Sequence, residues 1–175
     1  SSLVAAIDAR LEKERRQAEQ VAKKQAIRPP SQKQNASYAP QVGSFGKLKG
    51  RLTRPVKGTV VGRFGTERQD QPGTNWQGMQ FRAQEGSEVS ACAAGKVVFS
   101  DWLRGFGNLI IIDHGNTYMS IYGNNESIFT NVGDTVKQGE TISSVGISGG
   151  LGEPGLYFEL RYKGKPINPQ PWLKP

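Results

Sequence analysis

Gly105-Phe-Gly-Asn-Leu-Ile-Ile-Ile-Asp-His-Gly115 decides the fold. Its centre, Leu109 to Ile112, is an unbroken apolar run bounded by glycines. A run this short with neighbours of this kind reads as a strand covered on both faces. Outward from it, Lys96–Ser100, Thr117–Tyr122, Glu140–Val145 and Leu156–Tyr162 are further runs rich in Val, Ile, Phe and Tyr. Glycine turns separate such runs at intervals of about 8–12 residues, the rhythm of an all-β domain. Glu85-Gly-Ser-Glu-Val89 with Ala94-Gly-Lys-Val97 is echoed by Val132-Gly-Asp-Thr-Val136 with Gln138-Gly-Glu-Thr-Ile142, as if one hairpin were used twice. No stretch of residues 52–175 carries a helical period. The expectation is a mainly β, antiparallel barrel or sandwich over residues 51–175.

Ahead of it the composition changes. Leu3, Val4, Ile7 and Leu11 follow helical spacing, and the rest of residues 1–26 is rich in Ala, Glu, Lys, Arg and Gln. The segment predicts one α-helix whose apolar positions need a partner, either as the end of a coiled coil or as an arm folded onto the domain. Residues 27–50, with Pro29-Pro30 followed by Ser, Gln, Asn and Gly, have linker composition. Because the chain opens inside the helix, a preceding targeting segment is expected. No run approaches the roughly 20 apolar residues of a membrane-spanning helix.

The net charge of +8 is not spread evenly. Residues 1–58 hold 13 Lys/Arg against 4 Asp/Glu, whereas residues 59–175 hold 10 against 11. The β domain is therefore near neutral, and no basic stripe interleaved with aromatics speaks for nucleic acid. The single cysteine, Cys92, allows no internal disulfide and reads as a small buried hydrophobe. The single histidine, His114, ends an apolar strand, where a turn or capping role is the ordinary expectation. With one His and one Cys, no common zinc set is available.

Taken in order, Pro55-Val-Lys-Gly58, Gly62-Arg-Phe-Gly65, Gly78-Met79, Glu85–Val89, Ala94–Val98, Gly105–Gly115, Tyr118–Tyr122 and Gly155–Glu159 resemble the LytM-type (M23) zinc metallopeptidase domain. The resemblance covers nearly all of residues 55–173. It implies three metal-site stretches in active members: His-x-Gly-x-Asp, Tyr-x-His and His-x-His. A catalytic zinc uses three protein ligands and an open position for water, with spare histidines beside the charged tetrahedral species. Here the first stretch is Trp76-Gln-Gly-Met-Gln80, the second Tyr122-Gly-Asn124 and the third Gly155-Leu-Tyr157. The resemblance thus implies no catalytic residues, no metal and no cofactor.

Asp101-Trp-Leu103, Ser148-Gly-Gly150, Leu156–Glu159 and Asn168-Pro-Gln-Pro-Trp172 are similar to zinc-free members of that family. This implies a periplasmic protein of a Gram-negative division septum that activates N-acetylmuramoyl-L-alanine amidases. An upstream coiled coil would reach an inner-membrane division complex. The alternative is a non-catalytic peptidoglycan-binding module. The emptied groove is expected to use Trp76, Gln77, Gln80, Phe106, Leu109, Tyr157 and Arg161 to hold a partner, and Leu3, Val4, Ile7 and Leu11 to cover it in an inhibited state. Trp76 reads equally as a plug of the empty metal cavity. Glu159, Trp102 and Trp172 read as structural.

Overall fold

A computed structural model describes residues 9, 45–147 and 153–175. The sequence-predicted helix arm with Leu3, Val4, Ile7 and Leu11 therefore lies outside the described residues, as do most of the linker and Ser148-Gly-Gly150.

Ten strands form the domain: β1 (Thr59–Gly62), β2 (Met79–Arg82), β3 (Glu88–Ser90), β4 (Gly95–Leu103), β5 (Gly107–Gly115), β6 (Tyr118–Ile128), β7 (Thr135–Val136), β8 (Thr141–Val145), β9 (Gly155–Tyr162) and β10 (Lys165–Ile167). All pairings are antiparallel, in the order β1-β2-β9-β6-β5-β4-β7. β10 adds to β9, and β8 pairs with both β3 and β6. The echoed hairpins repeat at their first turn: Ser87 N–H donates to Gln84 O and Asp134 N–H to Asn131 O, both at 3.0 Å.

β9 lies between β2 and β6, and its register sorts side chains onto two faces. Met79 opposes Phe158, which opposes Tyr122, and Tyr122 in turn opposes Ile110. These four, with Phe81, Leu156, Leu160 and Ile112, belong to the main core. Gln80 opposes Tyr157, Ile121 opposes Glu159, and Ile111 opposes Ile121, all on the other face. That face carries a second apolar cluster of Val98, Phe99, Leu109, Ile111 and Ile121. The Leu109–Ile112 run is thus continuous because alternate residues feed two different cores.

Four placements differ from the sequence expectation. Leu109 does not wall the groove: it is 1% exposed and packed within the second cluster. His114 is no surface cap. It is buried, and its Nδ1–H donates to Ala94 O at 2.7 Å, because a carbonyl only accepts. Nε2 then accepts from Ser120 Oγ at 2.6 Å, Ser120 Oγ lies 2.9 Å from the Tyr122 hydroxyl, and the Cys92 N–H donates to that hydroxyl at 2.9 Å. Burial lowers the His114 pKa to about 4 and raises that of Cys92 to about 11. Trp102, expected to pack, is 56% exposed, because β4 carries it past the edge of the core. Phe45, expected in the linker, starts a 3-10 turn (Phe45–Leu48) and is a core residue, stacked 4.8 Å from the His114 ring.

Candidate functional groove

β2 and β9 form the floor of a cleft of about 190 Å³ on the second face. Trp76, in the loop before β2, lies against Gly62, where an added Cβ would stand 2.5 Å from the indole. Only glycine lets the ring lie that close to β1. The Arg68 guanidinium covers the ring at 4.1 Å from its centroid, and Arg68 is held by Asp70 at 2.6 Å. The hydrogen bond from Arg68 keeps the Asp70 carboxyl below its ordinary range. Tyr157 follows, 6.1 Å from Trp76 and 5.8 Å from Phe106, giving a row of three aromatic rings.

Below the row runs a buried polar line along β9. The Tyr157 hydroxyl donates to Glu159 Oε1 at 2.5 Å, and Arg161 Nε donates to Glu159 Oε2 at 2.9 Å. Glu159 and Arg161 are 2% and 3% exposed, and this ion pair lies inside the protein. Burial and the neighbouring carboxylate push the Tyr157 hydroxyl far above the ordinary tyrosine range, so it remains a donor. Gln80, opposite Tyr157, is buried, and its Oε1 has no hydrogen-bond partner among the described residues.

Of the expected groove residues, Trp76, Gln77, Gln80, Phe106, Tyr157 and Arg161 line this one cleft, and Leu109 does not. Phe106 links the two, lying beside Tyr157 and also packing against the Leu109 cluster. Arg68, Thr74 and Asn75 also line the cleft. They come from an irregular loop with no periodicity to mark them in the sequence.

The donors do not suit zinc. An indole offers no ligand, Gln80 presents a neutral amide, and Gly155 has no side chain. Both Glu159 oxygens are engaged, and His114 lies on the core side. Asn124 sits in the left-handed region (φ 67°), with its N–H donating to Phe106 O at 2.7 Å and its carbonyl accepting from Gly146 N–H. It sits within β6 where the register against β5 shifts, in a left-handed conformation that asparagine tolerates well. At position 155 a Cβ would stand 2.4 Å from the Phe81 carbonyl oxygen, so a histidine there demands movement of the backbone. Among the described residues no group of three or more His, Cys, Asp or Glu is placed to hold a metal ion.

The profile of peptidase family M23 matches residues 74–169, more than half of the sequence. The chain belongs to peptidase family M23. Within the family, it is 39% identical to murein hydrolase activator EnvC of Escherichia coli K12, over 97% of this chain and 41% of that protein. It is 38% identical to murein hydrolase activator NlpD of the same organism, over 68% of this chain and 30% of the relative. The chain thus spans well under half the length of either. The catalytic domain of lysostaphin from Staphylococcus simulans shares the fold with a TM-score of 0.61 and 25% identity, covering 66% of this chain and 91% of that domain. The M23 frame is present in this chain, and the groove occupies it with rings and a closed ion pair. No helix among the described residues is long and apolar enough to cross a membrane.

Proposed function

We propose that the chain activates a peptidoglycan amidase by binding it in the groove, and performs no hydrolysis itself. The observation that carries this reading is the fate of the metal-site positions: Trp76, Gln80 and Tyr157 stand where the family resemblance places zinc ligands, and they line an intact cleft. Two similar family members bear the name murein hydrolase activator, which supports the same role for this chain. Trp, Tyr and Arg are the residue types that carry binding energy at protein interfaces. A cleft walled by three rings suits the apolar face of a helix from the partner. The enzymes activated are N-acetylmuramoyl-L-alanine amidases of the Gram-negative periplasm, and an upstream coiled coil connects the chain to an inner-membrane division complex.

Residues 2–26 are the regulatory part of this proposal. The groove adjoins Leu109, Ile111 and Ile121, each at most 1% exposed on a face where Leu103, Phe106 and Met119 are the partly buried apolar neighbours described. In this proposal Leu3, Val4, Ile7 and Leu11, whose helical spacing leaves them in need of apolar burial, cover the groove in cis. Tethering gives the arm a high effective concentration against a diffusing partner.

The test mixes the purified chain with candidate amidases and dye-labelled sacculi. The chain alone should release no dye, the amidase alone little, and the mixture much more. Dye release by the chain alone that chelation abolishes would overturn the reading. Sedimentation with sacculi and no activation of any amidase would favour the peptidoglycan-binding module. A chain beginning just ahead of Phe45 should activate at lower concentration than the full sequence, and equal potency removes the inhibitory arm.

A further inference from the structure

Among the described residues, the buried polar side chains of the groove are hydrogen-bonded with one exception. Tyr157 and Arg161 each donate to a different oxygen of Glu159, and Arg68 is paired with Asp70. The charges of the lining cancel in pairs. Gln80 is the exception: it is 7% exposed, and its Oε1 is one of two buried side-chain atoms without a partner among the described residues. The other, Thr130 Oγ1, belongs to the loop after β6, outside the groove lining. The Gln80 amide also has a defined seat. Its Nε2 would lie 2.7 Å from a Cβ at position 155, so Gly155 is the space into which the amide fits. Gln80 further lines a neighbouring cleft on the far side of Trp76, together with Thr66 and Arg82, and so stands where the two clefts meet.

A buried carbonyl oxygen without a donor costs free energy for as long as the groove is empty, and an apolar residue of similar length would remove that cost. The same atom becomes an asset once an occupant brings a donor to it. Resting on the reading of the groove as an amidase-docking site, we propose that Gln80 is its selectivity residue. Its side-chain oxygen accepts a hydrogen bond from an N–H or O–H donor that the docking helix carries on its otherwise apolar face. Trp76, Tyr157 and Phe106 provide contact area that tolerates many apolar sequences. Gln80 rejects helices that present a methyl group or a carboxylate at the facing position, because the first leaves the acceptor unpaired and the second repels it. Since the lining charges are paired, this selection works through hydrogen bonding and depends little on ionic strength.

Three variants test it with an amidase that the unmodified chain activates, each checked by thermal melting. Gln80→Met keeps the length and removes the acceptor; it should melt no lower than the parent and need roughly tenfold more protein for half-maximal activation. Gln80→Glu keeps an acceptor oxygen in either protonation state and should stay within about threefold of the parent. Phe106→Glu puts a charge at the groove wall and reports on docking itself. If Phe106→Glu loses activation while Gln80→Met matches the parent, docking stands and the role of Gln80 is refuted. Equal defects in Gln80→Met and Gln80→Glu refute the acceptor role. An unaffected Phe106→Glu refutes the groove as the docking site, and this inference with it.

Discussion

The two faces of β9 are equally buried and do different things. Leu156, Phe158 and Leu160 enter the main core, whereas Tyr157, Glu159 and Arg161 face the groove, and none of the six exceeds 7% exposure. On the core side even the polar residues complete one another, from the Cys92 amide through Tyr122 and Ser120 to His114 and Ala94. On the groove side a charge pair is held next to an amide oxygen that has no hydrogen-bond partner among the described residues. Burial alone does not separate a packing residue from a binding residue in this domain. What sets the groove side apart is a buried ion pair and, at Gln80, an acceptor with no partner among the described residues.

Substitutions on alternate residues of one strand can break that contrast. Phe158→Ala on the core face should cost about 3–5 kcal/mol in urea unfolding, since it opens a cavity among Met79, Tyr122 and their neighbours. Leu109→Glu belongs with it: a charge at a site 1% exposed unfolds the second cluster, so the variant does not report on docking. Glu159→Ala should cost about 3 kcal/mol or more, because it removes the carboxylate from a buried ion pair with Arg161. Replacing both, as Glu159→Leu with Arg161→Met, should recover most of that stability while activation remains impaired. If the single and double variants are equally unstable, the pair is not what holds the groove floor.

The pH dependence probes the core side. His114 has a folded pKa near 4 against an ordinary 6.5, so the unfolded chain binds its proton first. The neutral histidine therefore contributes stability above pH 6.5 that is lost as pH falls towards 4, by about 3 kcal/mol in all. Melting curves across this interval should show that slope, and His114→Asn should flatten it. The smallest stability effect belongs to Phe106→Glu, under about 1 kcal/mol at a half-buried loop position, combined with the roughly tenfold or larger loss of activation expected at an interface anchor.

The strands were legible in the sequence because they announce themselves locally. The Leu109–Ile112 run and the aromatic alternation of Leu156–Tyr162 are complete signals within a few residues. Trp76, Gln77, Gln80, Phe106 and Tyr157 were legible because they lie in the motif stretches of a recognisable family, and the β9 period adds Arg161 to the face of Tyr157 and Glu159. Leu109 was misplaced because a continuous apolar run does not say which parity faces the cleft. Trp102 was misplaced because its exposure depends on how far β4 outruns the core. The burial of His114 depends on Ser120, Ala94 and Phe45, which no local pattern joins to it. Phe45 itself sits in a polar stretch with nothing nearby to mark it.

Phe45 and the residues after it also determine how the domain meets mechanical tension. Its ring rests 4.7 Å from Tyr118 and 5.4 Å from Trp172. A few residues on, Gly50 and Leu52 donate to the Trp172 carbonyl at 2.9 and 3.1 Å, and Lys174 donates to Leu52 O at 2.9 Å. The incoming chain and the outgoing tail are therefore fastened to each other, Leu52 beside Leu173 in a parallel bridge. A pull from upstream meets a buckle: three hydrogen bonds and a wedged ring share the force before any strand of the sheet is loaded. Cutting the chain at Arg51 removes the wedge, whereas a cut ahead of Phe45 leaves the buckle closed.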